Sequence, residues 1–303
     1  MAVDMSVTLC GVTLKNPIIA ASGTFSFGQH HAQFIDINRL GGIAIKSVTP
    51  EKRIGNKPPR IAETPSGMLN SVGLQNPGLE AFIRDDLPMV ERFKTAVIVN
   101  VAGRCVEDYV AVIERLNDAD VALFELNISC PNVKLGGASL GTDPQSAAQC
   151  VTAAKAVAKK PLIVKLTPAA GNIVAVAKAV QDAGADAVSL INTIPAMAVD
   201  VKTRRPILGN ITGGLSGPCI KPVALKMVYD VSRSVQIPVI GMGGVMTGED
   251  AAEFMLCGAS AVMVGTAGLV DPAAPLRIID ELEAYANSVK LDTITALTGA
   301  LEV

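Results

Sequence analysis

Eight short apolar runs constrain this 303-residue sequence more than any other feature. They cover residues 17–22, 42–46, 96–101, 123–128, 162–166, 187–191, 238–241 and 261–265. Each is nearly continuous in small aliphatic residues, the pattern of a strand buried on both faces. Between them lie stretches whose apolar residues recur three and four apart, at 106–117, 144–158, 172–183, 222–234 and 249–257. One face of such a helix can cover a sheet. Asp143 before Pro144 reads as a helix start, and Gly184 and Gly258 read as helix ends. Eight strand–helix units predict a parallel sheet wrapped by helices and closed as a single (β/α)8 TIM barrel, with residues 1–303 as one domain. An open, doubly wound sheet is the alternative, and the number of units favours closure.

Half the residues are hydrophobic, yet only 3% are aromatic and Trp is absent, so the core must be built from small aliphatics. The net charge is −2, with Lys and Arg spread along the chain. That balance offers no nucleic-acid or membrane surface. The first residues lack a basic segment followed by an apolar core, and no uncharged apolar run reaches spanning length, so a cytosolic protein is expected. The six cysteines, Cys10, Cys105, Cys130, Cys150, Cys219 and Cys257, are at least 20 positions apart. Without a C-x-x-C pair, no zinc or iron–sulfur site is expected on this chain. Five of the thiols read as small buried hydrophobes in helices, helix starts or the N-terminal segment. Only Cys130 lies just past a strand.

In a barrel, polar residues at the carboxyl ends of strands face one another across the mouth. This chain places Lys46 and Ser47 after strand two, Asn100 at strand three, Asn127 at strand four, Lys165 in strand five, and Asn192 and Thr193 after strand six. Two lysines and three asparagines inside apolar strands are costly to bury without a ligand. The lysines could instead form structural ion pairs, but Glu125 is the only strand carboxylate in evidence. The simpler reading is that one lysine faces a cofactor that becomes anionic on reduction, such as a flavin. Gly243 and Gly244 follow strand seven, and Gly265 and Thr266 follow strand eight. Backbone N–H groups there commonly hold phosphate in barrels, although either pair alone could be a tight turn. Three connections, 47–77, 131–142 and 193–217, are long, and all would lie at the mouth as lids or walls.

The strand over 123–128 ends in Asn127-Ile128-Ser129-Cys130-Pro131-Asn132, where Pro131 stops the ladder. A thiol between carboxamides can exchange a proton if its surroundings help. His30 and His31 are adjacent and read as a solvated helix start, and the other carboxylates lie mostly on helices. Elimination leaves Cys130 as the acid/base candidate.

These residues, together with Gly42-Ile43-Ala44-Ile45-Lys46-Ser47 and Met68-Leu69-Asn70-Ser71-Val72-Gly73-Leu74-Gln75-Asn76-Pro77-Gly78, closely resemble class 1 dihydroorotate dehydrogenases. The resemblance runs from Leu9-Cys10-Gly11-Val12 to Gly265-Thr266. It implies an FMN-containing barrel that oxidises dihydroorotate to orotate in pyrimidine biosynthesis. Cys130 would remove the C5 proton while hydride passes from C6 to flavin N5. Lys46, Asn70, Ser71, Val72, Gly73, Leu74, Asn127, Asn192 and Thr193 would hold the substrate. Ser22, Lys46, Ser47, Asn100, Asn127, Lys165, Ile191 and Gly217 would hold the flavin, with Gly243, Gly244, Gly265 and Thr266 on its phosphate. The membrane-bound, quinone-using class has a serine base and an N-terminal extension, which this sequence does not match. Pro131-Asn132-Val133-Lys134-Leu135-Gly136-Gly137 looks more like class 1B than like the fumarate-using homodimers of class 1A. Class 1B implies a partner subunit with FAD and a [2Fe–2S] cluster that passes electrons to NAD, in a heterotetramer built on a homodimer of this chain. No G-x-G-x-x-G follows the first strand, so NAD is not expected on this chain. Dihydropyrimidine dehydrogenase-type flavoproteins, which reduce uracil or thymine, carry His after the Cys-Pro pair, where this chain has Asn132. A flavin-free, phosphate-binding barrel is the non-redox alternative.

Overall fold

A computed structural model describes residues 3–129, 134–135 and 138–303. Eight parallel strands close into a barrel. They are β1 (Ile18–Ala20), β2 (Gly42–Val48), β3 (Ala96–Val101), β4 (Leu123–Asn127), β5 (Leu162–Lys165), β6 (Ala187–Leu190), β7 (Val239–Met242) and β8 (Ala261–Val264). Each pairs with its sequence neighbours, and β8 pairs with β1 to close the ring. All eight coincide with the apolar runs to within about two residues. Their side chains are almost entirely buried, as strands covered inside and outside must be.

The outer layer is a sequential ring of α1 (Val106–Leu116), α2 (Pro144–Val157), α3 (Ile173–Asp182), α4 (Lys221–Ser232), α5 (Gly248–Leu256) and α6 (Ala274–Ser288), each packed on the next. Helix α1 shows the logic: Tyr109, Val112, Ile113 and Leu116 share one buried face. Burying such a side chain contributes about 1.5–3 kcal/mol each. The start signals act as expected. Asp143 accepts from the Ser146 N–H at 2.7 Å with Pro144 in the first turn, and Asn172 accepts from the Ala175 N–H at 3.0 Å. Gly184 and Gly258 follow their helices at φ +98° and +109°. The first two units depart from the simple pattern. Between β1 and β2 there is no full helix, only Ser22–Phe25 and single turns, and α6 packs against β1 instead. Between β2 and β3 the helical segment is interrupted by a π turn at Phe82–Asp86 just before Pro88, which has no N–H to continue the ladder.

The N-terminal hairpin Val7–Leu9/Val12–Leu14 lies at the amino end of the barrel, where the Cys10 thiol donates to the Asp186 carbonyl just before β6. At the opposite end the long connections do more than wall the mouth. Segments Ile61–Thr64 and Gly67–Asn70, from the connection after β2, join Ile194–Met197 and Thr212–Ser216, from the connection after β6, in one four-stranded antiparallel sheet. Pro195 lies on the edge strand, where its missing N–H costs nothing. Residues Lys134–Leu135 and Ala138–Ser139 pair as a short hairpin. No helix among the described residues is long and apolar enough to cross a membrane.

Candidate active site

The mouth of the barrel holds two adjoining cavities, of about 470 and 220 Å³. The larger is lined by Ser22, Lys46, Ser47, Asn70, Ser71, Val72, Gly73, Leu74, Asn127, Lys165, Asn192 and Thr193. Ile191, Gly217, Gly243, Gly244, Gly265 and Thr266 line the smaller, and Asn70, Val72, Lys165, Asn192 and Thr193 line both. The structure therefore brings together every residue singled out from sequence except two. Asn100 is fully buried beneath the cavity floor, its amide spent on Ser47 and Glu125. Cys130 lies outside the described residues. Its chain neighbour Ser129 lines the larger cavity.

Local backbone irregularity explains how Lys46 and Ser47 both reach the cavity. In a regular strand, consecutive side chains point to opposite faces. The register of β2 against β3 slips between Ile45 and Val48, a bulge at this pair that re-aims a side chain. Neither Lys46 nor Lys165 forms an ion pair among the described residues. The structural ion-pair reading of the lysines therefore fails, because Glu125 is held by Asn100 and Ser189 instead. Burial, and then repulsion from Lys165, pulls the Lys46 ammonium below the usual lysine range.

A hydrogen-bond chain fixes the polarity of the substrate-side amides. The Thr193 N–H donates to Asn192 Oδ1 at 2.8 Å, Asn192 Nδ2 donates to Ser129 Oγ at 2.7 Å, and the Ser129 hydroxyl donates to Asn127 Oδ1 at 2.6 Å. Asn127 is thus left with its amide hydrogens for a ligand. Tyr109 on α1 ties down the same strand end, donating to the Asn127 carbonyl at 3.0 Å. Ser129 was in view as part of the strand-four motif, but its role as the hub of this chain was not legible there. Asn56 was also missed: its amide donates to the Ser71 hydroxyl at 2.9 Å and lines the cavity beside it.

Glycines bring the covering sheet down onto the site. A Cβ on Gly214 would sit 1.9 Å from Thr193 Oγ1, and one on Gly213 would sit 2.5 Å from the Asn70 carbonyl. Asn70 Nδ2 in turn donates to the Gly214 carbonyl at 3.2 Å. In the smaller cavity, Gly243 and Gly244 take φ +133° and +81°, and the Thr266 hydroxyl donates to Ser216 Oγ at 2.9 Å. Asp250 braces the loop behind them: Oδ2 accepts from the N–H groups of Met246 and Thr247 at 2.7 and 3.0 Å, and Oδ1 accepts from Lys221 Nζ at 2.6 Å.

The other titratable groups are poor competitors. Burial pushes the Cys150 thiol up to about 12, and burial with the nearby Asp186 carboxylate does the same to Cys10. Of the five thiols expected to be buried, only Cys150 is: Cys10, Cys105 and Cys257 are half-buried, and Cys219 is exposed in the turn after Ser216. His30 and His31 do open a single helical turn, with His30 exposed, but His31 is half-buried. It stacks on Phe25 with ring centroids 4.2 Å apart, and burial lowers its pKa.

Comparison with known proteins gives a consistent picture. Residues 4–285 match the family described as Dihydroorotate dehydrogenase. The chain is 53% identical over 299 residues to the dihydroorotate dehydrogenase B (NAD(+)) catalytic subunit of Alkaliphilus metalliredigens (strain QYMF), covering 99% of each. It is 53% identical over 296 residues to the protein of that name from Bacillus mycoides (strain KBAB4), covering 97% of this chain and 96% of the relative. A solved structure of DHODH in complex with ferulenol from Eimeria tenella has the same fold, with a TM-score of 0.83 at 23% identity over 98% of this chain and 88% of that one.

Proposed function

The chain belongs to the dihydroorotate dehydrogenase family, and from that membership we propose that it oxidises dihydroorotate to orotate in pyrimidine biosynthesis as the FMN-bearing subunit of an NAD-linked enzyme. One observation carries the reading. A cavity lined by amides and two lysines opens directly onto a second, glycine-walled cavity, so a polar planar substrate and a phosphate-bearing cofactor can meet at one barrel mouth.

The residues present fit FMN. Lys165, buried, and Lys46, half-buried, have no carboxylate partner among the described residues and suit an anionic ligand, and Gly243 and Gly244 adopt backbone conformations that only glycine takes readily. A Cβ on Gly265 would meet nothing closer than Ala21 Cβ at 3.7 Å, leaving the backbone open to a phosphate. FMN, when bound, supplies the acceptor for the substrate's hydride. Gly243, Gly244, Gly265 and Thr266 would take its phosphate, and Ser22, Ser47, Lys165, Ile191 and Gly217 its ring and ribityl chain, with Asn100 supporting from below.

The substrate's C5 proton lies next to a carbonyl and is only weakly acidic. We assign its removal to Cys130, the residue that follows Ser129 in the chain. The Asn127 amide, turned toward the cavity by Ser129, together with Asn70, Asn192 and Lys46, would stabilise the enolate as charge develops. Ser71, Val72, Gly73, Leu74 and Thr193 would shape the pocket under the covering sheet. The name catalytic subunit, carried by the relatives, supports a companion chain for electron transfer. We assign that companion the FAD and [2Fe–2S] groups, in a cytoplasmic assembly of two copies of each chain.

The test is anaerobic addition of dihydroorotate to the FMN-loaded chain. The flavin should bleach and orotate should form, with NAD reduced only when the companion is present. A flavin that dihydroorotate leaves oxidised would overturn the reading. Rapid turnover of the lone chain with fumarate would move it to the fumarate-linked type.

A further inference from the structure

Glu125 is a fully buried carboxylate inside the barrel for which the chemistry above has no use. Its Oε2 accepts from Asn100 Nδ2 at 2.5 Å and its Oε1 accepts from the Ser189 hydroxyl at 2.8 Å. Both oxygens are thus engaged, one by an amide and one by a hydroxyl. Asn100 passes the contact upward, since its Oδ1 accepts from Ser47, which lines the larger cavity. The relay spans β2, β3, β4 and β6. Glu125 lies two residues before Asn127 on the same strand face, one layer or roughly 7 Å below the mouth by strand rise. Asn127 is the register partner of Lys165 on β5.

A buried charge without a cation in contact is costly, and an apolar residue would fill this position more cheaply. What the carboxylate supplies is a fixed negative charge close to two fixed positive ones. Lys46 and Lys165 contribute +2 and Glu125 contributes −1, so the interior of the mouth carries +1. We propose that Glu125 is a positioning residue and counter-charge: it anchors Ser47 through Asn100 and limits how strongly the mouth favours negative charge on cofactor and substrate. The inference rests on the assignment of this cavity to FMN.

Glu125→Gln isolates the charge. The carboxamide can accept from Asn100 through its oxygen and donate to the Ser189 hydroxyl through its nitrogen, keeping both contacts. The midpoint potential of bound FMN should then rise, with the reduced form favoured about tenfold, or about 30 mV for a two-electron couple. Orotate, an anion, should bind about tenfold tighter. Ser189→Ala removes a hydrogen bond but no charge, and should leave the potential where it is.

An unchanged or lower potential in Glu125→Gln would refute the inference. So would an equal shift in Ser189→Ala, which would mark the role as structural. If Glu125→Gln does not fold, Glu125→Leu combined with Ser189→Ala removes the charge together with one of its donors. It must move the potential in the same direction, and failure to do so refutes the inference as well. Wild-type protein that binds no FMN would take down the reading of the site and this inference together. A normal wild-type flavin with an unmoved variant would take down this inference alone.

Discussion

Gly265→Ala separates a phosphate site from a tight turn. Gly265 follows β8, and the direction its Cβ would take is open: the nearest atoms are Ala21 Cβ at 3.7 Å and the Thr24 side chain at 3.9 Å, both ordinary contacts. The added methyl should therefore change the stability of the FMN-free protein by less than about 1 kcal/mol in either direction. Ala21 and Thr24 line the smaller cavity with Gly265 itself, so the methyl intrudes where the phosphate is assigned. Losing one hydrogen bond to a charged group costs about 1.5–3 kcal/mol. At about 1.4 kcal/mol per decade, that is an FMN affinity loss of roughly 10- to 150-fold. Gly244→Ala is the contrast. There a Cβ would lie 2.8 Å from Lys221 Cβ and 2.9 Å from the Gly217 carbonyl, at φ +81°. That variant should lose about 1–2 kcal/mol or more of stability before any ligand is added. Titration of apoprotein with FMN by flavin fluorescence, beside thermal melts of the apoproteins, reads both quantities. Wild-type affinity in Gly265→Ala would show that the glycines only turn the chain, and the phosphate would have to be sought elsewhere.

Three further outcomes are expected. Cys130→Ala should bind FMN normally while flavin reduction by dihydroorotate in stopped flow slows by about 10²- to 10⁴-fold, and near-normal reduction would remove Cys130 from the mechanism. Asp250→Asn removes the charge that gathers Lys221 and two loop N–H groups, a cap worth about 0.5–2 kcal/mol. Its FMN dissociation constant should rise several-fold with dihydroorotate KM unchanged, and equal effects on both would argue for general unfolding. Lys46 has a folded-state pKa below its unfolded value, so between the two the unfolded chain binds more protons and this residue makes apoprotein stability rise with pH. Below the folded-state value its burial cost is fully present, so Lys46→Met apoprotein should melt higher than wild type there, with the gap narrowing as pH rises through that value towards the unfolded one. A gap independent of pH would mean the charge is not the cause.

Strands were legible where burial on both faces leaves no choice of residue, and the barrel followed from counting them. The site was legible because polar residues inside such strands have no other economical use, as with Lys165 and Asn127. What the sequence hid depends on departures from period two and on contacts between distant segments. Nothing in Ile45-Lys46-Ser47 announces the bulge that lets both polar side chains face inward. The covering sheet joins strands about 145 residues apart, and Gly213 and Gly214 read as loop residues until Asn70 and Thr193 are seen against them. Asn100 shares the strand-end position of the others, and its sequence context does not show what its amide meets. Only the register of β3 against β4 puts it beside Glu125, one step below the cavity.

The charges in the mouth make sense only as half of a complex. Lys46 and Lys165 repel each other, and Glu125 offsets one of them without touching either. In the free protein that arrangement opposes folding. A substrate carboxylate, a cofactor phosphate and a ring able to take up negative charge would each supply what the lysines lack. Ligands that bind only the folded state add RT ln(1 + [L]/Kd) to its stability, about 4 kcal/mol at a thousandfold excess over Kd. FMN and orotate should therefore raise the melting temperature together by more than the sum of their separate effects, because each arrives at a mouth whose repulsion the other has partly relieved. Strictly additive shifts would mean that the two cavities, although joined, are electrostatically independent, and the lysines would then need a different explanation.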